Sequence, residues 1–466
     1  MSIKTFCVDI GTSSIKGGII DDAGNLLNWG RIGLLERGAF DFELWDADSW
    51  LTALTELVGE LELIGDISAV AMSGNGPTIV PVDRAGAPVA STLHWADSKV
   101  ERIPDEPSFF LPKIRWMKHN QAEAYLLTDC LLPCPDFLTF ALTGQRTAAI
   151  PSVDFQKFLW TDNSIRRYGL DAQMLPPFIE IGERIGHVTP QAARRFGLPE
   201  GVPVYAGGSD FFMALLGTAA VRAGRTCDRA GTSEGINYCS GVQIFSDRLR
   251  TLPHVIDGFH NIAGILSSTG RIFEWFRDVS GQRSRPYEEM LGEIIDLDNQ
   301  CPRPVFIPSL HSGPTWEFRG AAFMDLEPEH GIPEMGRAVI ESIAFSVRDV
   351  VETLEQNDCK IDVIRVSGGQ ARSAKWNQMK ADITGKEIWV PRVVDAELVG
   401  NAAAAFTGMG GFDSLQKAAE ELVGFQAVYK PDDEKKNRYD LSYRRFSDIC
   451  GRIVGIISDY LNSPKR

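Results

Sequence analysis

Asp210 is the carboxylate that the sequence places best for chemistry, because it stands between two apolar segments. The first segment, residues 202–208, ends in two glycines, and Asp210 opens the second. This pattern predicts a strand, a tight turn and a helix that begins at or near Asp210. Glycine lets a backbone approach a ligand closely, and the carboxylate could accept a proton from a substrate hydroxyl. The alternative is that Asp210 only caps the helix.

Two turns rich in glycine, threonine and serine have the composition of phosphate-binding loops. Each separates two β-rich runs and therefore predicts a hairpin whose N–H groups and hydroxyls could face a phosphate. Asp9 precedes the first turn, where a carboxylate could hold a hydrated Mg²⁺ ion. The alternative is a structural turn beside an exposed aspartate. The two turns are Gly11-Thr12-Ser13-Ser14 and Gly231-Thr232-Ser233.

Two further loops carry side chains suited to a sugar. Asn75 and Gly76 lie in a turn-rich stretch that follows a short predicted strand, and such loops are the usual ligand sites of α/β folds. Trp95 and Asp97 form the second loop, in which the indole could stack on a sugar ring and the carboxylate could hydrogen-bond to it. The alternative for this pair is half-buried packing.

The elements that must position these turns suggest a duplicated α/β protein. A length of 466 residues predicts two domains. Because the same Gly-Thr-Ser hairpin opens both halves, we expect two related α/β domains whose turns hold a triphosphate from both sides. We place a hinge at 221–225 and the domains at 1–222 and 223–466. The segments with helical spacing are 45–64, 336–357, 373–384, 395–408 and a final one at about 441–461.

The composition of the chain argues against some classes of binding partner. A formal net charge of −15 and a pI of about 5.0 argue against nucleic acid or an anionic membrane surface as a partner. The N-terminal segment has no signal-peptide pattern, and no run of ~18 apolar residues predicts a membrane span. The eight cysteines are scattered without a metal-binding pattern, so we expect thiols in a reducing cytoplasm.

Taken together, these residues resemble the FGGY type of carbohydrate kinase, whose members include xylulokinase, glycerol kinase, ribulokinase and fuculokinase. Residues 9–16 look like the first phosphate motif of that family, and residues 230–233 look like the second. Residues 367–383 are similar to its adenosine motif, and Asp210 falls where the family keeps its catalytic aspartate. The four motifs occur in the family's order over nearly the whole chain.

The resemblance implies two duplicated actin-like (ribonuclease H-like) ATPase domains with an interdomain cleft where sugar and ATP meet. It implies transfer of the γ-phosphoryl group of ATP to a hydroxyl of a small sugar or polyol, with a ketopentose such as xylulose as the leading candidate. The N-terminal domain would bind the sugar and carry the catalytic aspartate. The C-terminal domain would bind the nucleotide and end in an amphipathic helix. A homodimer is the assembly that the resemblance implies.

The resemblance also implies a role for individual residues. Asp210 is the expected base, and Asp9 is the expected Mg²⁺ ligand. The expected sugar-binding residues are Asn75, Gly76, Trp95, Asp97, Asp210 and Phe211. The expected ATP-binding residues are Gly11, Thr12, Ser13, Ser14, Lys16, Gly231, Thr232, Ser233, Gly270, Glu274, Gly368, Gly369, Gln370 and Ser373.

The chain departs from the family pattern at three places. Ser73-Gly74-Asn75-Gly76 stands where xylulokinases commonly have Gln-Met-His-Gly and glycerol kinases have Asn-Gln-Arg-Glu. Glu234 stands where a small residue is usual and is expected to perturb the phosphate end of the cleft, and Gln370 replaces a third glycine or alanine.

The alternatives to a kinase are an actin-like ATPase or activator without sugar-kinase activity, and a sugar-binding regulator without catalysis. The presence of both Asp9 and Asp210 argues against the regulator.

Overall fold

A computed structural model describes residues 2–34, 46–231, 233–297, 304–310 and 316–462 and divides the chain into two compact units. The first unit comprises Met1–Val221, Pro253–Gly258 and Asp395–Gly424. The second unit comprises Arg222–Leu252, Phe259–Val394 and Phe425–Arg466. The boundary at 221–222 falls at the predicted hinge. The division into 1–222 and 223–466 did not include the return of two later segments to the first unit.

Nineteen strands are described, and they alternate with helices in both units. In chain order they are β1 (Lys4–Ile10), β2 (Ser14–Asp21), β3 (Leu26–Gly33), β4 (Ala69–Gly74), β5 (Ile79–Val82), β6 (Cys130–Pro133), β7 (Ala148–Ile150), β8 (Phe178–Glu180), β9 (Arg184–His187), β10 (Pro203–Ser209), β11 (Thr226–Ala230), β12 (Glu234–Ser240), β13 (Arg250–Pro253), β14 (His260–Leu266), β15 (Val305–Ile307), β16 (Ala322–Met324), β17 (Val363–Ser367), β18 (Glu387–Pro391) and β19 (Phe425–Tyr429).

Each segment predicted from helical spacing overlaps a described α-helix, although the first helix ends at Gly59 and so is shorter than the predicted 45–64. In chain order the helices are α1 (Ala47–Gly59), α2 (Leu111–Asn120), α3 (Ala122–Leu127), α4 (Cys134–Thr143), α5 (Gln156–Leu159), α6 (Asp162–Tyr168), α7 (Pro190–Phe196), α8 (Asp210–Gly217), α9 (Thr269–Val279), α10 (Tyr287–Asp296), α11 (Ile332–Gln356), α12 (Ala374–Thr384), α13 (Ala396–Gly408), α14 (Leu415–Leu422) and α15 (Asp433–Asn462). Within the described residues, no helix is long and apolar enough to cross a membrane.

Each unit is built on one mixed sheet. The sheet of the first unit has the order β3-β2-β1-β4-β10-β9, and the sheet of the second has the order β13-β14-β12-β11-β17-β18-β19. In both, the central hairpin is antiparallel and is followed by two parallel neighbours and an antiparallel edge strand. The run β14-β12-β11-β17-β18-β19 therefore repeats the first sheet, which confirms the predicted duplication of an α/β fold.

Helices cover both faces of the first sheet, and glycines allow them to come close. A Cβ on Gly17 would lie 2.7 Å from Leu57 on α1, and one on Gly18 would lie 3.4 Å from Leu398 on α13. Neighbouring residues of a strand point to opposite faces, so α1 and α13 lie on opposite faces of β2. Coverage of both faces explains why β1 and β2 are buried over nearly their whole length.

The packing of α13 against α8 explains why a segment late in the chain belongs to the first unit. A Cβ on Gly217 of α8 would lie 1.7 Å from the carbonyl oxygen of Ala396. A Cβ on Gly400 of α13 would lie 2.1 Å from the carbonyl oxygen of Met213. The two helix backbones are therefore in direct contact, as the alanine-rich sequence of α13 allows.

Candidate active site

Asp210 is the first residue of α8, which follows β10 with no intervening turn. Ser209 occupies the N-cap position and its side chain makes no capping hydrogen bond, so the predicted tight turn is absent and Asp210 does not have the N-cap position. The Oδ1 atom of Asp210 accepts a hydrogen bond from the backbone N–H of Phe211 at 2.8 Å. The carboxylate is only partly buried and lies at a helix N-terminus, where a negative charge is favoured.

The two glycines before Asp210 serve packing within the first unit. A Cβ on Gly207 would lie 2.0 Å from the carbonyl oxygen of Met72 and 2.6 Å from Oδ1 of Asn401. A Cβ on Gly208 would lie 3.0 Å from Ile181. Close contact with β4 and α13 therefore explains why residue 207 is a glycine. The approach of a ligand to the backbone, which the sequence suggested, is not needed to explain it.

Asp9 lies near the end of β1 and is buried at the centre of a charged group in the first unit. Its Oδ1 atom accepts a hydrogen bond from the Ser73 hydroxyl at 2.8 Å, and it is paired in register with Lys16 on β2. Asn401 on α13 donates to the Ser73 hydroxyl at 2.8 Å and to the carbonyl oxygen of Val8 at 3.0 Å. This chain of hydrogen bonds fixes Asp9 from two neighbouring elements, β4 and α13.

The surroundings of Asp9 favour its neutral form. Burial, followed by the negative charges of Glu397 and Asp210, raises the pKa of Asp9 to about 7, although Lys16 and the Ser73 hydroxyl act in the opposite direction. Asp9 and Asp210 are therefore near enough to influence each other electrostatically, and a cation bound beside them would favour the ionised form of Asp9.

Lys16, an expected phosphate ligand, is held by an ion pair in the structure. Its Nζ atom lies 2.9 Å from Oδ1 of Asp395, the residue before α13. Burial disfavours its charge, but Asp395, Glu397 and Asp9 together hold the pKa of Lys16 above its ordinary value. Asp395 also accepts a hydrogen bond from the indole N–H of Trp29 at 3.1 Å. The ammonium therefore balances the carboxylates around the first turn.

The Thr12 hydroxyl lies in the first turn (residues 11–13), which is an expected phosphate site, and connects this turn to two expected sugar-binding residues. The Thr12 hydroxyl donates to Oδ1 of Asn75 at 3.3 Å and accepts from the indole N–H of Trp95 at 3.2 Å. Asn75 is buried, and its Nδ2 atom has no hydrogen-bond partner within the described residues. A buried donor without a partner is costly, so Asn75 Nδ2 is a natural donor to a ligand hydroxyl.

A buried lysine supports the Trp95 loop from behind. Lys113 on α2 donates to the carbonyl oxygens of His94 and Trp95, the latter at 3.2 Å. Burial lowers the pKa of Lys113 to about 8, against the effect of Asp97. Burial also lowers the pKa of His94 to about 3, so that its imidazole is neutral. This support was not visible in the sequence, because α2 follows the loop without any local pattern that joins them.

The remaining sugar candidates lie on the same unit but are less closely engaged. Asp97 accepts a hydrogen bond from the backbone N–H of Lys99 at 2.8 Å, an Asx turn that shapes its loop. A Cβ on Gly76 would meet no atom within 4 Å, which leaves open space beside the Asn75 loop. Phe211 packs its ring 3.9 Å from that of Phe212. Ser14 is the first residue of β2 and accepts a hydrogen bond from Arg31.

The second turn, residues 231–233, joins β11 to β12 in the second unit. The backbone N–H of Gly231 donates to the carbonyl oxygen of Ser233 at 2.9 Å, as that of Gly11 does to Ser14 at 2.9 Å in the first hairpin. Thr232, an expected phosphate ligand, lies outside the described residues. Glu234 follows the turn but is buried, with its carboxylate paired to Lys380. Its carboxylate is therefore directed to Lys380, and the effect of Glu234 on the phosphate end stays a prediction.

The expected adenosine motif joins β17 to α12 in the second unit. Gly368 has a φ of +86°, and a Cβ there would lie 2.2 Å from the carbonyl oxygen of Ala230, so this position requires glycine. Gly369 is exposed, and a Cβ there would meet no atom within 4 Å, which leaves room for a ligand. Gln370 accepts a hydrogen bond from the indole N–H of Trp376 at 2.9 Å. Ser373 is the N-cap residue of α12.

Gly270 and Glu274 lie in the first two turns of α9, which follows β14. Glu274 pairs with Arg277 through two hydrogen bonds of 2.8 and 2.9 Å. Thr269, at the start of the helix, is buried, and its hydroxyl has no partner within the described residues. The start of α9 therefore holds an unpaired hydroxyl beside Gly270.

The structure contains no metal ion, so the fit of Mg²⁺ is judged from the donors. Across the described residues, no group of three or more histidine, cysteine, aspartate or glutamate side chains could hold a metal. Mg²⁺ usually binds one or two carboxylates, with waters and substrate phosphates as its other ligands. Asp9 fits that pattern as a single carboxylate ligand.

The sequence analysis missed Ser73, Asp395, Glu397 and Asn401 of the group around Asp9. Ser73 lies in β4, which extends through Gly74. The other three lie at or near the start of α13, far along the chain from the first hairpin. The polar residues at the start of an alanine-rich helix were the available signal, but nothing local shows which sheet they approach.

Models of the N-terminal and C-terminal domains of the FGGY family of carbohydrate kinases match residues 99–217 and 229–409. The xylulose kinase of Lactococcus lactis subsp. lactis (strain IL1403) is 26% identical over 482 residues, which cover 95% of each chain. The autoinducer-2 kinase of Yersinia pestis (strain Pestoides F) is 27% identical over 505 residues, which cover 97% of this chain and 94% of the relative.

The xylulose kinase structure from Rhodospirillum rubrum superposes with a TM-score of 0.77 at 20% identity, over 97% of this chain and 99% of that one. At this identity the likeness concerns the fold alone. Together with the two repeated sheets, it confirms the actin-like ATPase fold.

Proposed function

The chain belongs to the FGGY family of carbohydrate kinases and is an ATP-dependent sugar phosphotransferase, and we propose that its substrate is a ketopentose such as xylulose. The group around the Thr12 hydroxyl, which joins the first turn to both Asn75 and Trp95, supports a hydroxyl-rich substrate. The name of the Lactococcus relative, a xylulose kinase, supports the ketopentose. A hydroxyl-rich ligand in contact with Asn75 would lie beside a turn suited to phosphate.

Asp210 is the proposed base. It would accept the proton of the attacking hydroxyl as that oxygen forms a bond to the γ-phosphorus and the bond from phosphorus to the β,γ-bridging oxygen breaks. Its partly buried position at the start of α8 allows a substrate to approach, and its place near Asp9 puts the base and the expected metal ligand in one electrostatic group.

Asn75 and Trp95 are proposed to select the sugar. The unpartnered Nδ2 atom of Asn75 offers a donor, and a site built to bond a hydroxyl rejects an analogue that lacks it. The indole of Trp95 offers an apolar face to the C–H side of a sugar. Gly76, Asp97 and Phe211 complete the proposed sugar-binding set.

The second unit is proposed to hold ATP. Gly231, Thr232 and Ser233 would bind phosphate oxygens through N–H and hydroxyl groups. The open space beside Gly369 suits the nucleoside, with Gly270, Glu274, Gly368, Gln370 and Ser373 around it. On the first unit, Gly11, Thr12, Ser13, Ser14 and Lys16 are proposed to meet the γ-phosphate.

Asp9 would hold Mg²⁺, which when bound neutralises charge that develops on the transferred phosphoryl group. Asp9 itself is kept in place by Ser73, and Lys16 with Asp395 keeps the local charge balanced. A homodimer and a cytoplasmic location remain predictions, and light scattering of the purified chain tests the first of them.

A coupled assay of ADP release tests the proposal. We expect release with xylulose and at most slight release with glycerol, gluconate or no sugar. The panel includes autoinducer-2, because the name of the Yersinia relative supports that second substrate. Faster release with autoinducer-2 than with any ketopentose would overturn the ketopentose assignment. Release independent of every sugar would instead support an actin-like ATPase or activator.

A further inference from the structure

Three buried charged side chains lie directly behind the second turn. Lys380 on α12 donates to Oδ2 of Asp228 at 2.6 Å and to Oε1 of Glu234 at 2.5 Å. The side chains of Asp228 and Glu234 are 0% exposed and that of Lys380 is 2% exposed. We call Asp228, Glu234 and Lys380 the Lys380 cluster. No step of the proposed phosphoryl transfer uses it.

The register of the second hairpin brings the two carboxyl groups to one face. Ala230 pairs with Glu234, and Asp228 pairs with Ile236. Residues opposite each other in an antiparallel pair share a face, as do residues two apart on one strand. Asp228, Ala230, Glu234 and Ile236 therefore point the same way, and the distances to Lys380 show that α12 lies on that side.

Charge balance in the Lys380 cluster favours a proton on Asp228. Two ionised carboxyls and one ammonium would leave a net charge in a fully buried place, which is costly. Burial, followed by the charge of Glu234, raises the pKa of Asp228 to about 8, against the effect of Lys380. Oδ1 of Asp228 and Oε2 of Glu234 have no other hydrogen-bond partner in the described part of the chain. A proton on Asp228 makes the cluster neutral, and a side-chain hydrogen bond to Glu234 is among the causes that raise the pKa of Asp228.

The same helix connects the cluster to the adenosine motif. Lys380 Nζ lies 5.5 Å from the centre of the Trp376 ring, and the Trp376 indole N–H donates to Gln370 at 2.9 Å. Gly368, two residues before Gln370, packs directly against the carbonyl oxygen of Ala230 at the end of β11. The second turn, α12 and the adenosine motif are thus held together by contacts within the second unit.

We propose that the Lys380 cluster fixes the second turn against α12 and thereby sets the affinity for ATP. The proposal rests on the proposed function of that turn as a phosphate site. Glu234 is its key anchor, because it directly follows Ser233 and holds the end of the turn through one hydrogen bond to Lys380. All three are positioning residues, since they are buried away from any ligand.

Glu234→Ala and Glu234→Gln form a matched pair that tests this role. Both remove the same negative charge, and in both Asp228 can ionise and pair with Lys380, so both variants are expected to fold. Only glutamine can still accept the hydrogen bond from Lys380. We expect Glu234→Ala to raise the KM for ATP roughly five- to tenfold, while kcat and the sugar KM change by less than about twofold. Glu234→Gln should stay within about twofold of the wild type in all three quantities.

Hydrogen exchange provides a readout that does not depend on activity. In Glu234→Ala, amides of residues 229–236 should exchange faster than in Glu234→Gln, because the turn opens locally more often. Glu355→Ala is the control, because it removes a glutamate that pairs with Lys386 outside the cluster, and it should leave exchange at 229–236 unchanged.

The outcomes separate this inference from the proposed function. Equal ATP affinity and equal exchange in the two Glu234 variants would overturn the inference, and so would equal weakening of ATP binding by both. A wild type that binds ATP but phosphorylates no sugar would overturn the proposed function only. A wild type with no measurable nucleotide binding would overturn both.

Discussion

The first hairpin (β1–β2) and the second hairpin (β11–β12) have the same Gly-Thr-Ser turn and the same place in their sheets. Their charged side chains, however, have different partners. In the first hairpin, Asp9 and Lys16 are paired in register and belong to a group with Ser73, Asp395 and Glu397. In the second, Asp228 and Glu234 are enclosed with Lys380. The first group includes the proposed metal ligand, and the side chains of the second are almost completely buried.

The two hairpins also differ by one residue of register. Ile10 pairs with Ile15 across the first turn, whereas Ala230 pairs with Glu234 across the second, so the second loop is one residue shorter. Ser14 and Glu234 occupy equivalent places after the glycine, yet only Glu234 is paired across the hairpin. A shift of one residue changes which side chains oppose each other. The carboxyls also stand at different places in the two hairpins, because Arg229 occupies the position before Gly231 that Asp9 occupies before Gly11.

The largest expected effect concerns the base, which only the first unit carries. We expect Asp210→Ala to lower kcat by about 10²–10⁴-fold, the range for loss of a general base, while ATP binding stays largely intact. Asp413→Ala, at an exposed carboxylate of the same unit, is the control and should be silent. If Asp210→Ala turned over sugar at nearly the normal rate, the assignment of the base to the first unit would be wrong.

The hairpins themselves are compared most directly by one substitution made in each. Asp9→Asn should lower kcat by about 10²-fold, because the proposed metal ligand loses its charge. Asp228→Asn should change kcat and KM by less than about twofold, since an amide can accept from Lys380 and donate to Glu234 as the protonated acid does. Steady-state kinetics at saturating Mg²⁺ measures both. Equal losses in the two variants would abolish the distinction between the hairpins.

A smaller effect is expected for the sugar loop that the first turn supports. We expect Asn75→Ala to reduce kcat/KM for the sugar by about 1–3 kcal/mol, the cost of an unpaired polar group. ATP affinity without sugar should hardly change. If the variant instead lost thermal stability but kept its sugar KM, Asn75 would only support the loop around Gly76. Both quantities are measured on one preparation.

The smallest effect concerns Asp136, a buried carboxyl that has no ion pair with any described residue, in contrast to the Lys380 cluster. Burial raises the pKa of Asp136 from 3.8 to about 8, although it accepts hydrogen bonds from Ala149 and Thr147. Between these pH values the folded chain keeps a proton that the unfolded chain has released, so this group makes the free energy of unfolding fall as pH rises. The contribution becomes constant above about 8.

Asp136→Asn removes that titration and should flatten this part of the pH dependence. Urea denaturation at pH 5 and pH 8 measures it, as the change in midpoint of the variant compared with that of the wild type. A wild type and a variant that lose the same stability between the two pH values would show that Asp136 is ionised in the folded chain.

Local patterns in the sequence predicted much of the fold. Glycine-rich turns between β-rich runs indicated both hairpins, and apolar spacing indicated α1, α11, α12 and α13. The start of a helix at Asp210 was also correct, although the turn before it is absent. These features depend on neighbours in the chain, which a sequence shows directly.

What the sequence did not predict depends on contacts between distant segments. The return of α13 to the first unit brings Asp395, Glu397 and Asn401 to the first hairpin, and the backbone contact at Gly400 that allows it has no local signature. The burial of Glu234 was likewise hidden, because its partner Lys380 lies on α12 and the register that turns it inward differs by one residue from that of the first hairpin.

The central claim is that the first unit binds the sugar and the second unit binds the nucleotide. Hydrogen exchange of the wild-type chain with each ligand alone tests this claim most directly. Mg²⁺ with ADP should slow exchange at residues 226–240 and 363–384 of the second unit. A ketopentose substrate alone should slow exchange at residues 72–78 and 93–98 of the first unit. Protection by ADP that is confined to the first unit, or protection by the sugar that is confined to the second, would contradict the account.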